Sequence, residues 1–275
     1  MVLLFLHLLI LLSLSSTAAD PISNICEGDT YAANSPFESN LKLLLASLSL
    51  SSTNSTFSNL AKGSTPDRAY GLFLCRGDIS LSQCSACVHT AIQDAPQICP
   101  KSKQATLWYD TCELRYSDES FFNSFGNNQT EYYPQGPNAS NPDLFSKNER
   151  ALMSNLSYQA AYNSDSLMFA TGEVSVNGSS GQQVIYGLAQ CTRDLSADMC
   201  SQCLGQLVVF FQCCDSQTEG GILGKSCSFR YGVSKFFEGS PKISVAGLLP
   251  PPPSALPLSR PPSSAPTEED NGKGK

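Results

Sequence analysis

The chain has 275 residues, a formal charge of −7, 12 cysteines and only 2 histidines. That length suits one large domain or two modest ones, and the negative charge disfavours nucleic acid or an anionic membrane as a partner. The two histidines, His7 and His89, are too few for a repeated histidine-based site.

Residues 1–19 read as a secretory signal peptide. The apolar run VLLFLHLLILLSLSS ends in small residues, with Thr17 and Ala19 placed for cleavage before Asp20. All 12 cysteines lie behind that point, and an even count in an oxidising compartment argues for disulfides. No later apolar run approaches the roughly 20 residues of a membrane helix. The expectation is a secreted, extracellular (apoplastic) protein whose mature chain, as given, does not insert into a membrane. Asn54, Asn128, Asn138, Asn155 and Asn177 each open an N-x-S/T sequon, which predicts a surface-glycosylated protein.

The first element is a helix over about 37–50, where Phe37, Leu41, Leu44 and Leu48 recur at helical spacing behind Pro36. A Ser/Thr/Asn-rich connection leads to AYGLFLC (69–75), which reads as a strand. Cys84, Cys87, Val88, Ala91, Ile92 and Ala95 then form the buried stripe of a second helix, opened by a Ser80/Gln83 capping box. Short antiparallel strands follow around Leu107 to Arg115. The segment 126–141 has the Gly, Pro and Asn content of a linker. Phe145, Leu152, Leu156 and Ala160 then restate the first helix. Cys200, Cys203, Leu204, Leu207, Val208 and Phe211 restate the second, with Ser196 as its cap, and strands recur around Leu223 to Tyr231.

The chain is therefore a tandem repeat. AYGLFLC matches IYGLAQC (185–191), and Cys75, Cys84 and Cys87 return 116 positions later as Cys191, Cys200 and Cys203. The offset becomes 115 for Cys99 to Cys214, Cys112 to Cys227, Arg115-Tyr116 to Arg230-Tyr231 and Phe121-Phe122 to Phe236-Phe237. The predicted organisation is a signal peptide (1–19), a first domain (20–125), a linker (126–141), a second domain (142–240) and a disordered proline-rich tail (241–275). Repeat logic favours the pairs Cys75–Cys84, Cys87–Cys112, Cys191–Cys200 and Cys203–Cys227, leaving Cys26 for Cys99, although spacing alone permits many other pairings. The second unit has no counterpart of Cys26. It has Cys213 beside Cys214, for which a vicinal disulfide, an interchain link and a free thiol are all open.

Nothing in the sequence assembles a catalytic or metal centre. The CxxC cysteines belong to an apolar helical stripe rather than to an exposed, activated helix start, which argues against thioredoxin-like chemistry, and their secreted setting argues against zinc. Among Asp110, Glu113, Asp118 and Glu119, a glycosidase-like pair requires two carboxylates facing one cleft, and Asp118 and Glu119 are adjacent in a predicted strand end. No enzyme, cofactor or metal is expected. Trp108 is the one weak binding candidate, its competing reading being a core residue.

YGLFLCRGDISLSQCSACV, WYDTCELRYS, YGLAQCTRDLSADMCSQCL and CSFRY resemble the plant salt-stress and antifungal, or ginkbilobin-type, cysteine-rich domain with its C-x8-C-x2-C pattern. The tandem is similar to the ectodomains of plant cysteine-rich receptor-like kinases and to cysteine-rich repeat secretory proteins. The resemblance implies an α+β fold in which each unit packs two helices on a five-stranded antiparallel sheet, with the pairing above. In the mannose-binding member of the family, an Asn, an Arg and a Glu contact the sugar. The matching positions here are Glu27, Thr106 and Ser117 in the first unit, and Gly221 and Gly232 in the second, so mannose binding does not carry over. The implied function is a secreted, non-enzymatic recognition module in stress or defence signalling, with an extracellular protein, peptide or glycan as partner. The alternatives are a carbohydrate-binding antifungal protein using a site other than the mannose triad, and a structural or dimerising ectodomain fragment of a receptor-like kinase; association with itself or with receptor ectodomains is a further expectation.

Overall fold

The computed structural model describes residues 20–125, 130–165, 167–178, 181–210 and 217–247. The signal peptide, Asn128, Cys213, Cys214 and the chain from 248 onward lie outside the described residues.

The first unit runs β1 (Ser23–Thr30), α1 (Pro36–Ser51), β2 (Phe57–Lys62), β3 (Ala69–Cys75), α2 (Leu81–Ile98), β4 (Ser102–Trp108) and β5 (Cys112–Ser117). Helix α1 starts where Ser35 accepts a hydrogen bond from the Glu38 N–H and Pro36 occupies the first turn. Helix α2 opens on a full capping box, in which the Ser80 side chain accepts from Gln83 N–H and Gln83 accepts from Ser80 N–H. The sheet is wholly antiparallel in the order β1-β4-β5-β3-β2. Strand β2 lies inside the Ser/Thr/Asn-rich stretch read as a connection.

The second unit runs β6 (Thr130–Asn138), α3 (Pro142–Tyr162), β7 (Phe169–Gly178), β8 (Gly181–Cys191), α4 (Ala197–Phe210), β9 (Gln217–Gly224), β10 (Cys227–Gly232) and β11 (Ile243–Val245). Its sheet has the order β11-β7-β8-β10-β9-β6, six strands rather than the five expected of each unit. The added strand is β11, which joins β7 in parallel and breaks the all-antiparallel pattern. Three residues beyond the composition change at Phe237 are too few to carry a readable period, so 243–245 read as tail. The strand can dock because β7 has no side chain at Gly172, where a Cβ would stand 2.6 Å from Ile243 Cγ1. Strand β6 likewise arises from residues read as linker. Its TEYY start pairs with β9 despite the Gly, Pro and Asn that follow.

Pleating divides each sheet into two faces. In the first unit Phe73, Cys75, Leu107, Leu114 and Tyr116 point to the helices and join Leu44, Leu48, Val88 and Ala91 in one core. In the second, Ile185, Ala189, Cys191, Phe229 and Tyr231 do the same with Leu152, Leu156, Leu204 and Leu207. The alternate residues Leu72, Leu74, Thr106, Trp108, Leu188 and Leu223 are also buried, yet belong to neither helix-facing core. They are covered because the two sheets meet through the faces their helices leave bare, giving a helix–sheet–sheet–helix stack.

Candidate functional site

Among the described residues, five disulfides fix the frame. Cys75–Cys84 and Cys191–Cys200 each tie the end of a YGL strand to the following helix across 9 residues. Cys87–Cys112 and Cys203–Cys227 join that helix to the start of β5 and of β10. Cys26–Cys99 ties β1 to the end of α2 across 73 residues. Those helix-bound cysteines are spent on structure. Asn54, Asn138 and Asn155 are exposed, and Asn177 contributes its backbone to β7. His89 is exposed on α2 beside Gln93. Among the described residues no group of three or more His, Cys, Asp or Glu is placed to hold a metal ion.

The contact between the units is pseudo-twofold. Arg230 of the second unit pairs with Asp110 of the first, and the repeat-equivalent Arg115 donates to the carbonyl of Lys225, the equivalent of Asp110, at 3.2 Å. Each arginine stacks on the equivalent phenylalanine of its own unit, Arg115 at 3.9 Å from the Phe121 ring centre and Arg230 at 4.4 Å from that of Phe236. Asp78 accepts from the Glu238 N–H and its equivalent Asp194 accepts from the Asn123 N–H, each at 2.8 Å and each across the interface. Glu238 and Asn123 are themselves equivalent positions. The Gln190 side chain, buried between the sheets, donates to the Cys75 carbonyl at 2.8 Å, and Lys225 reaches Glu27 at 2.5 Å.

The middle of this seam holds a cavity of only about 60 Å³, bordered by Arg76, Trp108, Asp110, Glu113, Tyr133 and Arg230. Asp110 and Glu113 do face one cleft, but small-molecule sites occupy roughly 300–1,000 Å³, far more than this space offers. Asp110 is committed to Arg76 and Arg230. Burial pushes the Glu113 carboxyl up to about 8, against the pull of Arg115, while the nearby Asp194 charge adds to the rise. Trp108, 3% exposed, stands opposite Glu113 in the β4–β5 register, so its indole is part of the seam and not a surface platform. The mannose-site positions of the first unit are occupied in the same way: Glu27 by Lys225, while Thr106 and Ser117 are buried. Gly221 lies against the Tyr133 ring.

Among the described residues, an open groove lies at the edge of the seam. One lobe, about 460 Å³, runs between Gly77–Asp78 of the first unit and Phe169, Thr171, Arg193 and Lys242 of the second. A second lobe, about 390 Å³, continues past Ala160, Ala161 and Met168. Asn163, Leu167 and Arg193 line both. Arg193 donates from Nη1 to Thr56 Oγ1 at 2.9 Å, while its Nε–H is buried without an acceptor. Desolvation alone lowers its pKa, with no carboxylate offsetting it, unlike Arg76, which Asp78 and Asp110 hold charged. Leu167 and Met168 both have positive φ, 50° and 62°, so the rim is held in a backbone conformation that bulky residues seldom adopt.

Sequence reading passed over Arg193 because it flanks the cysteine motif as an ordinary polar residue. One signal was available. Gly77 and Arg193 hold the same place in the repeat, so the substitution of a guanidinium for a hydrogen atom marks where the two halves differ.

The chain is a disulfide-stapled pair of α+β units locked through their sheets, with an open groove at the seam and no metal-holding group among the described residues. Two segments, residues 25–119 and 131–234, match the family described as Salt stress response/antifungal, and the chain belongs to that family. It is 36% identical over 208 residues to Cysteine-rich repeat secretory protein 38 of Arabidopsis thaliana, covering 75% of this chain and 81% of that one. It is 38% identical over 234 residues to the Antimicrobial ginkbilobin-2-like protein of Castanea crenata, covering 83% and 95%. The crystal structure of the tandem DUF26 ectodomain of the Arabidopsis thaliana cysteine-rich receptor-like protein PDLP8 superposes with a TM-score of 0.66 at 28% identity, over 78% of this chain and 98% of that one. The protein is thus a secreted, extracellular, cysteine-rich, receptor-ectodomain-like protein of plant-defence type.

Proposed function

We propose that the protein recognises an extracellular protein or peptide at the plant cell surface and acts in stress or defence signalling through that partner. The observation that carries this reading is the interdomain groove, which remains open while the facing sheet surfaces are buried, with Thr106 and Ser117 buried and Glu27 held by Lys225. A two-unit body with an open, mixed polar and apolar cleft at the seam suits a ligand that touches both units. The family's secretory and receptor members support the cell-surface setting. The test is a screen of the oxidised, secreted chain against arrayed plant ectodomains and peptides, with a glycan array in parallel and a reduced sample as control. Saturable binding to a protein or peptide, absent from the reduced sample, is the expected result. Binding to sugars alone would overturn the reading in favour of a lectin.

A further inference from the structure

We infer that the groove is a binding site for an acidic peptide segment, in which Arg193 receives a carboxylate and the Ala160–Ala161–Met168 lobe receives the neighbouring apolar side chain. The inference rests on the recognition reading above and names the ligand class for it.

The geometry argues for this ligand in three steps. Arg193 sits where the two lobes join, and its guanidinium is under-bonded, with one hydroxyl partner and a buried Nε–H that has none. A half-buried guanidinium presents a planar fork of N–H donors whose natural complement is a carboxylate. The carboxylates already in the groove do not serve it. Asp78 is held by Arg76 at 2.7 Å and by the Glu238 N–H, and Glu238 accepts from Gln83 at 3.1 Å. Asp165 lies exposed at the mouth, and Lys242, also exposed, adds a second positive charge along the first lobe.

The second lobe supplies the apolar half of the recognition. Leu167 is 61% exposed, and it shares the rim with Tyr162, whose ring packs on Tyr158 at 5.3 Å. Large exposed hydrophobic side chains gathered beside a cleft mark interaction surfaces. The two lobes together, about 460 and 390 Å³, are larger than a single small acid requires, and Gln159 on the wall of the first lobe offers an amide to a peptide backbone. The turn at Leu167 and Met168, both at positive φ, presents this wall to the groove.

The test uses the full oxidised chain and an arrayed library of synthetic heptapeptides carrying Asp or Glu beside Leu or Phe, with matched Asn and Gln versions, read by fluorescence polarisation. The acidic peptides are expected to bind and their amide versions to bind about tenfold more weakly, as loss of a charge-assisted pair implies. Arg193→Gln is expected to erase that difference, and Lys242→Glu, a change at an exposed side chain, to weaken the acidic set about threefold to tenfold. Equal binding of acidic and amide peptides, no binding of any peptide, or wild-type affinity in Arg193→Gln would overturn the inference. Should Arg193→Gln fail to fold, unchanged affinity in Lys242→Glu overturns it instead. Binding to an ectodomain that survives Arg193→Gln would remove the groove as the site while leaving protein recognition standing.

Discussion

The two units solve one folding problem by different means at their edges. In the first, Cys26–Cys99 clamps the outer strand β1 to the end of α2. In the second, β6 has Tyr133 and Pro134 where a cysteine would stand and is held by its ladder to β9, with the Tyr132 and Tyr231 hydroxyls 3.4 Å apart beneath it. At the opposite edge the first sheet stops at β2, whereas β11 covers β7. The shared bridges from strand to helix and from helix to hairpin are therefore the part of the framework that both units need, while an outer edge can be closed covalently or by hydrogen bonding.

Breaking the covalent edge should have the largest effect. Cys26→Ala with Cys99→Ala releases a 73-residue loop, for which chain entropy predicts a loss of about 4 kcal/mol in urea unfolding. A loss under about 1 kcal/mol would mean that the β1–β4 ladder closes its edge unaided, as the β6–β9 ladder does.

Among the described residues, each unit also buries a carboxyl without a salt bridge, Glu113 on β5 and Glu149 on α3, and burial pushes both up to about 8. In the folded state these groups keep a proton that the unfolded chain sheds near 4.5, so stability should fall as the pH rises from about 4.5 to about 8. Glu113→Gln should remove about half of that decline and gain roughly 3 kcal/mol above pH 8, measured as unfolding free energy against pH. A parallel curve with no gain would remove Glu113 as a titrating element of the seam. Glu149→Gln performs the same test in the other unit.

Gly172→Val should act only on the second unit. Its side chain would displace Ile243, freeing β11 at a cost of about 1–2 kcal/mol and exposing the bond after Lys242 to trypsin. Unchanged trypsin resistance would show that β11 is held by something other than this close approach. The smallest effect belongs to the helix caps. Ser80→Ala should cost about 1 kcal/mol by thermal unfolding, and Ser196→Ala, where the hydroxyl accepts only from the Met199 N–H, no more than that.

The helices were legible because each writes its buried face several times over: the 37–50 reading lies within the 36–51 helix, and the Ser80 capping box is formed. Strands β2, β6 and β11 were not, because Ser, Asn, Gly and Pro in or around them signal loops and because edge pairing depends on a neighbour that sequence alone does not supply. The sheet faces were hardest. Leu72, Leu74 and Trp108 alternate with core residues as any strand would, and only the packing of one unit on the other decides whether that second face is wet. The groove depends on the same packing, which is why Arg193 carried no local mark beyond its difference from Gly77.

The pseudo-twofold seam also bears on how such a chain can diversify. Two units that meet through equivalent residues make the contact of a homodimer, and joining them in one chain replaces a concentration-dependent encounter by an intramolecular one, with an effective concentration on the order of millimolar for a short connection. A homodimer must accept every mutation twice, at both symmetric places. The fused form is free of that constraint: glycine at 77 keeps the tight approach to Phe169, while its counterpart 193 carries an arginine, and a site with one sign of charge and one orientation can arise on a scaffold that began with two identical halves.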